Sequence, residues 1–134
     1  MTAKKHREQP ELSRLERAVM GVIWDLGECT SAQIIVVFQQ KRNLADATIR
    51  TVIRKLHEKG YIEQVPSMER ALCFRPCAER EAVAWRNIRD LVRDLYGGVA
   101  HRAVTCMLKH EKMSAEEFNA IRRMLEERQG ADDL

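Results

Sequence analysis

At 134 residues the chain has room for one ordinary domain or two small ones, but not for a large catalytic core. Its 23 Lys and Arg against 20 Asp and Glu leave a net charge of +3, too little for non-specific polyanion binding to be its main business. The longest apolar runs, Val19 to Trp24 and Ile34 to Phe38, fall far short of the roughly 20 residues a membrane crossing needs, so a cytoplasmic chain is expected, with no signal peptide and no spanning helix.

Lys4, Lys5, His6 and Arg7 precede the first helix signal, and residues 1–9 read as a disordered basic arm. Ser13-Arg14-Leu15-Glu16 is a capping box, in which a serine side chain and a glutamate three residues on satisfy each other's backbone N–H. It opens a segment where Leu15, Val19, Val22, Ile23 and Leu26 recur at helical spacing, and Gly27 closes it. Thr30-Ser31-Ala32-Gln33 is a second capping box. The β-branched run Ile34 to Val37 would alone suggest a strand, but the cap and the polar Gln39-Gln40-Lys41-Arg42 favour a helix.

Asp46 to Gly60 is the most informative stretch. Asp46 is placed to cap the amino end of a helix, and Gly60 to end it at the C′ position. Ile49, Val52, Ile53 and Leu56 follow the i, i+3, i+4, i+7 pattern of a buried stripe. Thr48, Arg50, Thr51, Arg54, Lys55 and Lys59 turn outward, four cations against the single Glu58. Threonine fits against phosphate or a thymine methyl, and arginine can grip guanine O6 and N7 with two hydrogen bonds, so this face suits a DNA major groove. A solvated helix face is the other reading of the same residues. Tyr61 to Val65 then alternates apolar and polar side chains, Pro66 to Arg70 supplies a turn, and Ala71 to Arg75 returns as a second strand. Helix, helix, cationic helix and hairpin together predict a winged helix-turn-helix over residues 10–76, with Arg70 at the hairpin tip either near the DNA backbone or as a solvated turn arginine.

From Ala78 onward nothing reads as a strand. Trp85, Ile88, Val92 and Leu95 follow 3-4-3 spacing on one helix, which Tyr96-Gly97-Gly98 terminates. Ala103, Val104, Met107 and Leu108 form a second amphipathic stretch, and Ser114 to Glu117 caps a third that carries Phe118, Ile121, Met124 and Leu125. Three short helices with apolar stripes are poorly stable alone, so residues 78–128 read as a dimerisation domain, with 129–134 as a tail. Its contact residues would be Trp85, Ile88, Val92, Leu95, Met107, Leu108, Phe118, Ile121 and Leu125. A self-contained three-helix bundle is the alternative. Charge divides the same way: residues 1–77 carry 13 Lys and Arg against 9 Asp and Glu, residues 78–134 carry 10 against 11.

The fold class expected is therefore mainly α with a small β-hairpin. Four cysteines in such a chain argue for reduced thiols. Cys73 and Cys77, four apart, are separated by a proline and a strand end, and Cys106 with His110 at i, i+4 lacks the spacing of a structural zinc site, so no metal and no cofactor are expected. A glycine-rich phosphate loop, a His-Glu-x-x-His motif and a nucleophile elbow are all absent, and the chain does not read as an enzyme. A winged-helix adaptor that docks a protein is the rival reading. A thiol- or metal-responsive DNA binder using Cys73, Cys77 or Cys106 is a further one.

Leu12 to Trp24, Thr48-Ile49-Arg50-Thr51, Leu56, the strand pair and Leu95-Tyr96-Gly97-Gly98, in this order, resemble the penicillinase-repressor (BlaI/MecI) family from about Leu12 to Glu127. The resemblance implies a repressor that binds palindromic double-stranded operator DNA as a homodimer, controlling β-lactamase or other antibiotic- or stress-response genes. Carried onto this chain, it makes the helix beginning at Ala47 the recognition helix, with Thr48, Arg50, Thr51, Arg54 and Lys55 as contacts and Arg70 on the wing. In antibiotic-responsive members a membrane sensor leads to cleavage within the dimerisation region. The corresponding bond here is about Cys106-Met107, unlike the asparagine–phenylalanine junction of those members, so release by that cleavage is not expected. Arg128 to Leu134 contains no cysteine, unlike the cysteine-rich tail of a copper-responsive branch. The sequence names no operator, no regulated gene, no sensor partner and no inducer.

Overall fold

The first helix begins where its capping box predicts. In the computed structural model, which describes residues 9–41, 43–67 and 71–132, Ser13 Oγ accepts from the Glu16 amide at 3.2 Å. Glu16 Oε1 in turn accepts from the Ser13 amide at 2.7 Å. Helix α1 (Arg14–Leu26) follows, ending at Gly27 with φ +76°. The Thr30–Gln33 box closes in the same reciprocal way, at 2.8 and 3.2 Å, and starts α2 (Ser31–Lys41). Ile34, Ile35 and Phe38 of the ambiguous apolar run are buried while Val36 is exposed, a helical rather than an alternating pattern.

Helix α3 (Asp46–Glu58) buries Ile49, Val52, Ile53 and Leu56, the stripe its spacing predicts. Its cap differs from expectation. Ala45 is the N-cap and no side chain closes it; Asp46 is already the first helical residue, and its Oδ1 accepts instead from Gln39 Nε2 at 3.1 Å. That bond ties the end of α2 to the start of α3. The other end is a Schellman stop: Gly60, at φ +85°, donates to His57 O, and Tyr61 N donates to Leu56 O.

Strands β2 (Ile62–Val65) and β3 (Cys73–Pro76) form the expected antiparallel hairpin, with Glu63 opposite Arg75. A third strand, β1 (Cys29–Thr30), joins the far side of β3 and gives the order β1-β3-β2. The hairpin thus supplies two of the sheet's three strands. The core gathers Val19, Met20 and Ile23 of α1, the α2 and α3 stripes, Cys29, Tyr61, Ile62 and Phe74. Each such large side chain contributes roughly 1.5–3 kcal/mol by leaving water. Within α1 the buried set is Val19, Met20 and Ile23; Leu15 and Val22 are only partly buried and Leu26 is exposed.

Helix α4 (Arg80–Tyr96), α5 (Ala100–His110) and α6 (Ala115–Asp132) complete the chain. Gly97 and Gly98, at φ +62° and +84°, end α4, and Ser114 Oγ caps α6 by accepting from the Glu117 amide. The last helix passes the expected end at 128, since Gly130 costs a helix only about 1 kcal/mol. No helix among the described residues is long and apolar enough to cross a membrane. Two compact units result, Met1–Trp85 and Arg86–Leu134. The division therefore falls inside α4, later than the expected residue 77. Ala78 and Val83 are buried in the first core, Trp24 Nε1 donates to Ala78 O at 2.9 Å, and Arg80 reaches Asp25 and Gly21 O of α1.

The second unit has a different character. No residue from 86 to 131 is buried. Ile88, Leu95, Met107, Leu108, Phe118 and Leu125 are exposed, and Val92 and Ile121 are half-buried. Trp85, 61% exposed, falls at the end of the first unit.

Lys59, which its position marks as an outward cation, is instead half-buried and structural. Its Nζ donates to Glu16 Oε1 at 2.6 Å and to Glu11 O at 2.8 Å. Glu16 is only 3% exposed. Burial pushes its carboxyl up, but the bonds from Lys59 and Ser13 outweigh it and hold the group below its ordinary 4.5. Removing the cation strands a buried anion, whereas removing the anion frees a lysine that can reach water. Lys59→Met is expected to cost about 2–4 kcal/mol in urea unfolding at pH 7, and Glu16→Gln, which keeps the cap, clearly less. The pair's contribution is present above pH 4.5 and fades as pH falls through the lowered value, so the two variants should converge in acid. Equal losses at pH 7 would contradict this account.

Candidate nucleic-acid interface

The exposed side of α3 is built by exclusion. Once Ile49, Val52, Ile53 and Leu56 face the core, helical geometry leaves two flanks. Thr48, Thr51 and Lys55 line a shallow groove with Leu15, Ala47 and Val52. Arg50 and Arg54 line another with Ser31, Ile53, His57, Gln64, Leu72 and Phe74, between the helix and the sheet. All five predicted contacts on this helix are exposed. The sixth, Arg70, lies outside the described residues.

These side chains are held loosely, as contacts awaiting a ligand would be. Arg50 and Lys55 have no carboxylate partner among the described residues. Arg54 lies 4.0 Å from Glu58, with both side chains about two-thirds exposed, a surface pair worth little. Thr51 is more constrained: its Oγ1 donates to Ala47 O at 3.0 Å. What it offers a base edge is therefore an acceptor oxygen and a methyl group. At about 1.5 Å per residue the 13-residue helix is roughly 20 Å long, enough to span a major groove about 12 Å wide.

One residue on this surface escaped the sequence reading. His57 stands three residues after Arg54 and seven after Arg50, on the same flank, exposed, with its ring edge-on to Phe74 at 6.4 Å. The spacing 50, 54, 57 was the available signal. A histidine does not count toward formal charge, so a tally of cations passes over it.

Comparison with known proteins places the chain. Residues 12–127 match the sequence model of the penicillinase repressor family. The penicillinase repressor of Staphylococcus aureus is 27% identical over 118 residues, 88% of this chain and 93% of that one. An uncharacterised 16.5 kDa protein of Latilactobacillus sakei is 38% identical over 115 residues, 86% of this chain and 78% of its own. Among solved structures, a variant of MarR from E. coli complexed with operator DNA shares the fold with a TM-score of 0.51 at 13% identity, covering 87% of this chain and 75% of that one.

Among the described residues no group of three or more His, Cys, Asp or Glu side chains is arranged to hold a metal ion. Cys29 is buried in the sheet, and burial followed by the neighbouring Cys73 pushes its thiol up to about 11. Cys77 is exposed, though burial of its sulfur and Glu63 raise it too, and its Sγ–H donates to Gly60 O at 3.1 Å. Maleimide labelling of the native protein followed by peptide mass analysis is expected to modify Cys29 last, at a rate set by unfolding. Labelling of Cys29 as fast as Cys77 would contradict its place in the core.

Proposed function

The chain belongs to the penicillinase repressor family and is a DNA-binding transcriptional repressor; we propose that it acts as a homodimer on palindromic operator DNA, with α3 as the recognition helix. The observation that carries this reading is the division of α3 into two solvent-facing flanks, one bearing Thr48, Thr51 and Lys55, the other Arg50 and Arg54. The first flank, with small hydroxyls and one long amine, suits base edges. The second, nearer the wing, suits phosphates and neighbouring bases. Arg70 on the wing is assigned to the backbone. The first unit, which ends at Trp85, supplies the reading head, and the helical segment after it holds two heads together through the exposed faces of α4, α5 and α6. The absence of any buried residue from 86 to 131 supports a covering partner, and a second copy of the same surface supplies it with twofold symmetry. The two recognition helices then meet major grooves about one turn apart, or a small multiple of it.

A mobility-shift assay on the DNA upstream of the chain's own gene tests the reading. A shift that unrelated DNA does not compete supports it, and no shift at low salt contradicts it. Within a binding complex, Arg54→Ala is expected to lower the slope of log K against log salt by about 0.9 per protomer; an unchanged slope would move Arg54 off the backbone. Replacing Ile88 and Leu95 together with Gln should give monomers in sedimentation and half-site binding weaker by at least an order of magnitude. Intact dimers would remove α4 from the interface.

A further inference from the structure

We propose that His57 is a third cation of the groove between α3 and the sheet, beside Arg50 and Arg54, charged when a phosphate occupies it, so that binding takes up a proton in each protomer. This rests on the reading of α3 as the recognition helix and adds a contact and a pH dependence to it. The groove is lined by Ser31 from α2, Arg50, Ile53, Arg54 and His57 from α3, Gln64 from β2, Leu72 just before β3, and Phe74 of β3. No carboxylate is among these described residues. Glu58, next to the ring in sequence, lies 4.0 Å from Arg54, and Glu63 is held by Arg75 on the strand's other face. An anion entering the groove therefore meets two permanent cations, two uncharged donors and one imidazole.

The ring is positioned for that role. The residue is exposed, and its ring lies 6.4 Å from that of Phe74 on the sheet. It stands in the last turn of α3, where the helix dipole favours positive charge. A bound phosphate places negative charge beside the ring, which favours imidazolium. Histidine changes charge between pH 5 and 8, so the coupling falls in the physiological range.

The occupant inferred is a phosphate of a double-stranded nucleic acid, and because a phosphate contact carries no sequence information, the test does not require the operator. Full-length protein is titrated against a fluorescent random-sequence duplex at pH 6.0 and pH 8.0 over a range of salt concentrations. For wild type the slope of log K against log salt is expected to be steeper at pH 6.0 by about 0.9 per protomer. In His57→Gln that difference should be smaller than in wild type by about 0.9 per protomer. In His57→Arg the slope should stay at least as steep as the wild-type slope at pH 6.0 at both pH values, which also shows that the site still folds. A pH dependence as large in His57→Gln as in wild type would overturn the inference while leaving the DNA reading intact. Absence of wild-type binding at both pH values and low salt would overturn the DNA reading, and the inference with it.

Discussion

The pairing of Glu16 with Lys59 is the constraint from which the first unit takes its shape. One carboxylate oxygen serves two structures at once. It closes the capping box that starts α1, and it receives the lysine that follows α3. The same lysine holds Glu11 O, and Tyr61, two residues on, donates its hydroxyl to Pro10 O at 2.6 Å. The carboxy-terminal end of α3 is thereby pinned to the segment that leads into α1. With Gln39 and Asp46 joined at the other end, the helix is fastened at both termini. A helix that must present side chains to a fixed surface needs that rigidity, because contacts misplaced by an ångström lose most of their value.

Fastening the ends also decides which cations are free. Lys59 looks like one more positive charge on an outward face, yet its charge is consumed by Glu16. Arg80 is likewise used within the fold, clasping Asp25 and lying over the Trp24 ring at 5.6 Å. What remains on α3 is Arg50 and Lys55, without a carboxylate partner among the described residues, and Arg54, loosely paired with Glu58, with His57 on the flank of the two arginines. The cationic surface is therefore smaller and more localised than a charge count implies. Its position, between the buried stripe and the sheet edge, is set by the core rather than by the charges themselves.

Legibility followed sequence distance. The boxes at Ser13, Thr30 and Ser114 are local three-residue relations, and each forms a bond where its residues indicate. Helical stripes are local too, and the α3 stripe holds in full. Asp46 failed as a cap because a partner seven residues away, Gln39, claims its carboxylate and moves the helix start back to Ala45. Strand β1 was invisible because it is two residues long and its second residue doubles as the cap of α2. Only its pairing with Phe74 and Cys73, more than forty residues on, makes it a strand. The role of Lys59 hid for the same reason, since Glu16 lies 43 positions before it. The flanks of α3 were legible as sets of residues; the grooves they line were not, because Ser31, Gln64 and Leu72 come from three other elements.

The contrast between the units has a thermodynamic consequence. The first unit contains its own core, so its stability is a property of one chain. The second exposes apolar side chains along all three of its helices and buries none fully. Contiguous exposed apolar surface of that kind is unfavourable unless it is covered. If a second copy covers it, as proposed, the stability of this unit depends on protein concentration, while that of the first does not. Pairing would then do more than set the spacing of two α3 helices. Each head binds with the effective concentration the other provides, so folding of the second unit and occupancy of DNA would rise together. A signal that weakens the covered surface would need no contact with α3 to lower occupancy, because it would act through the concentration of paired chains.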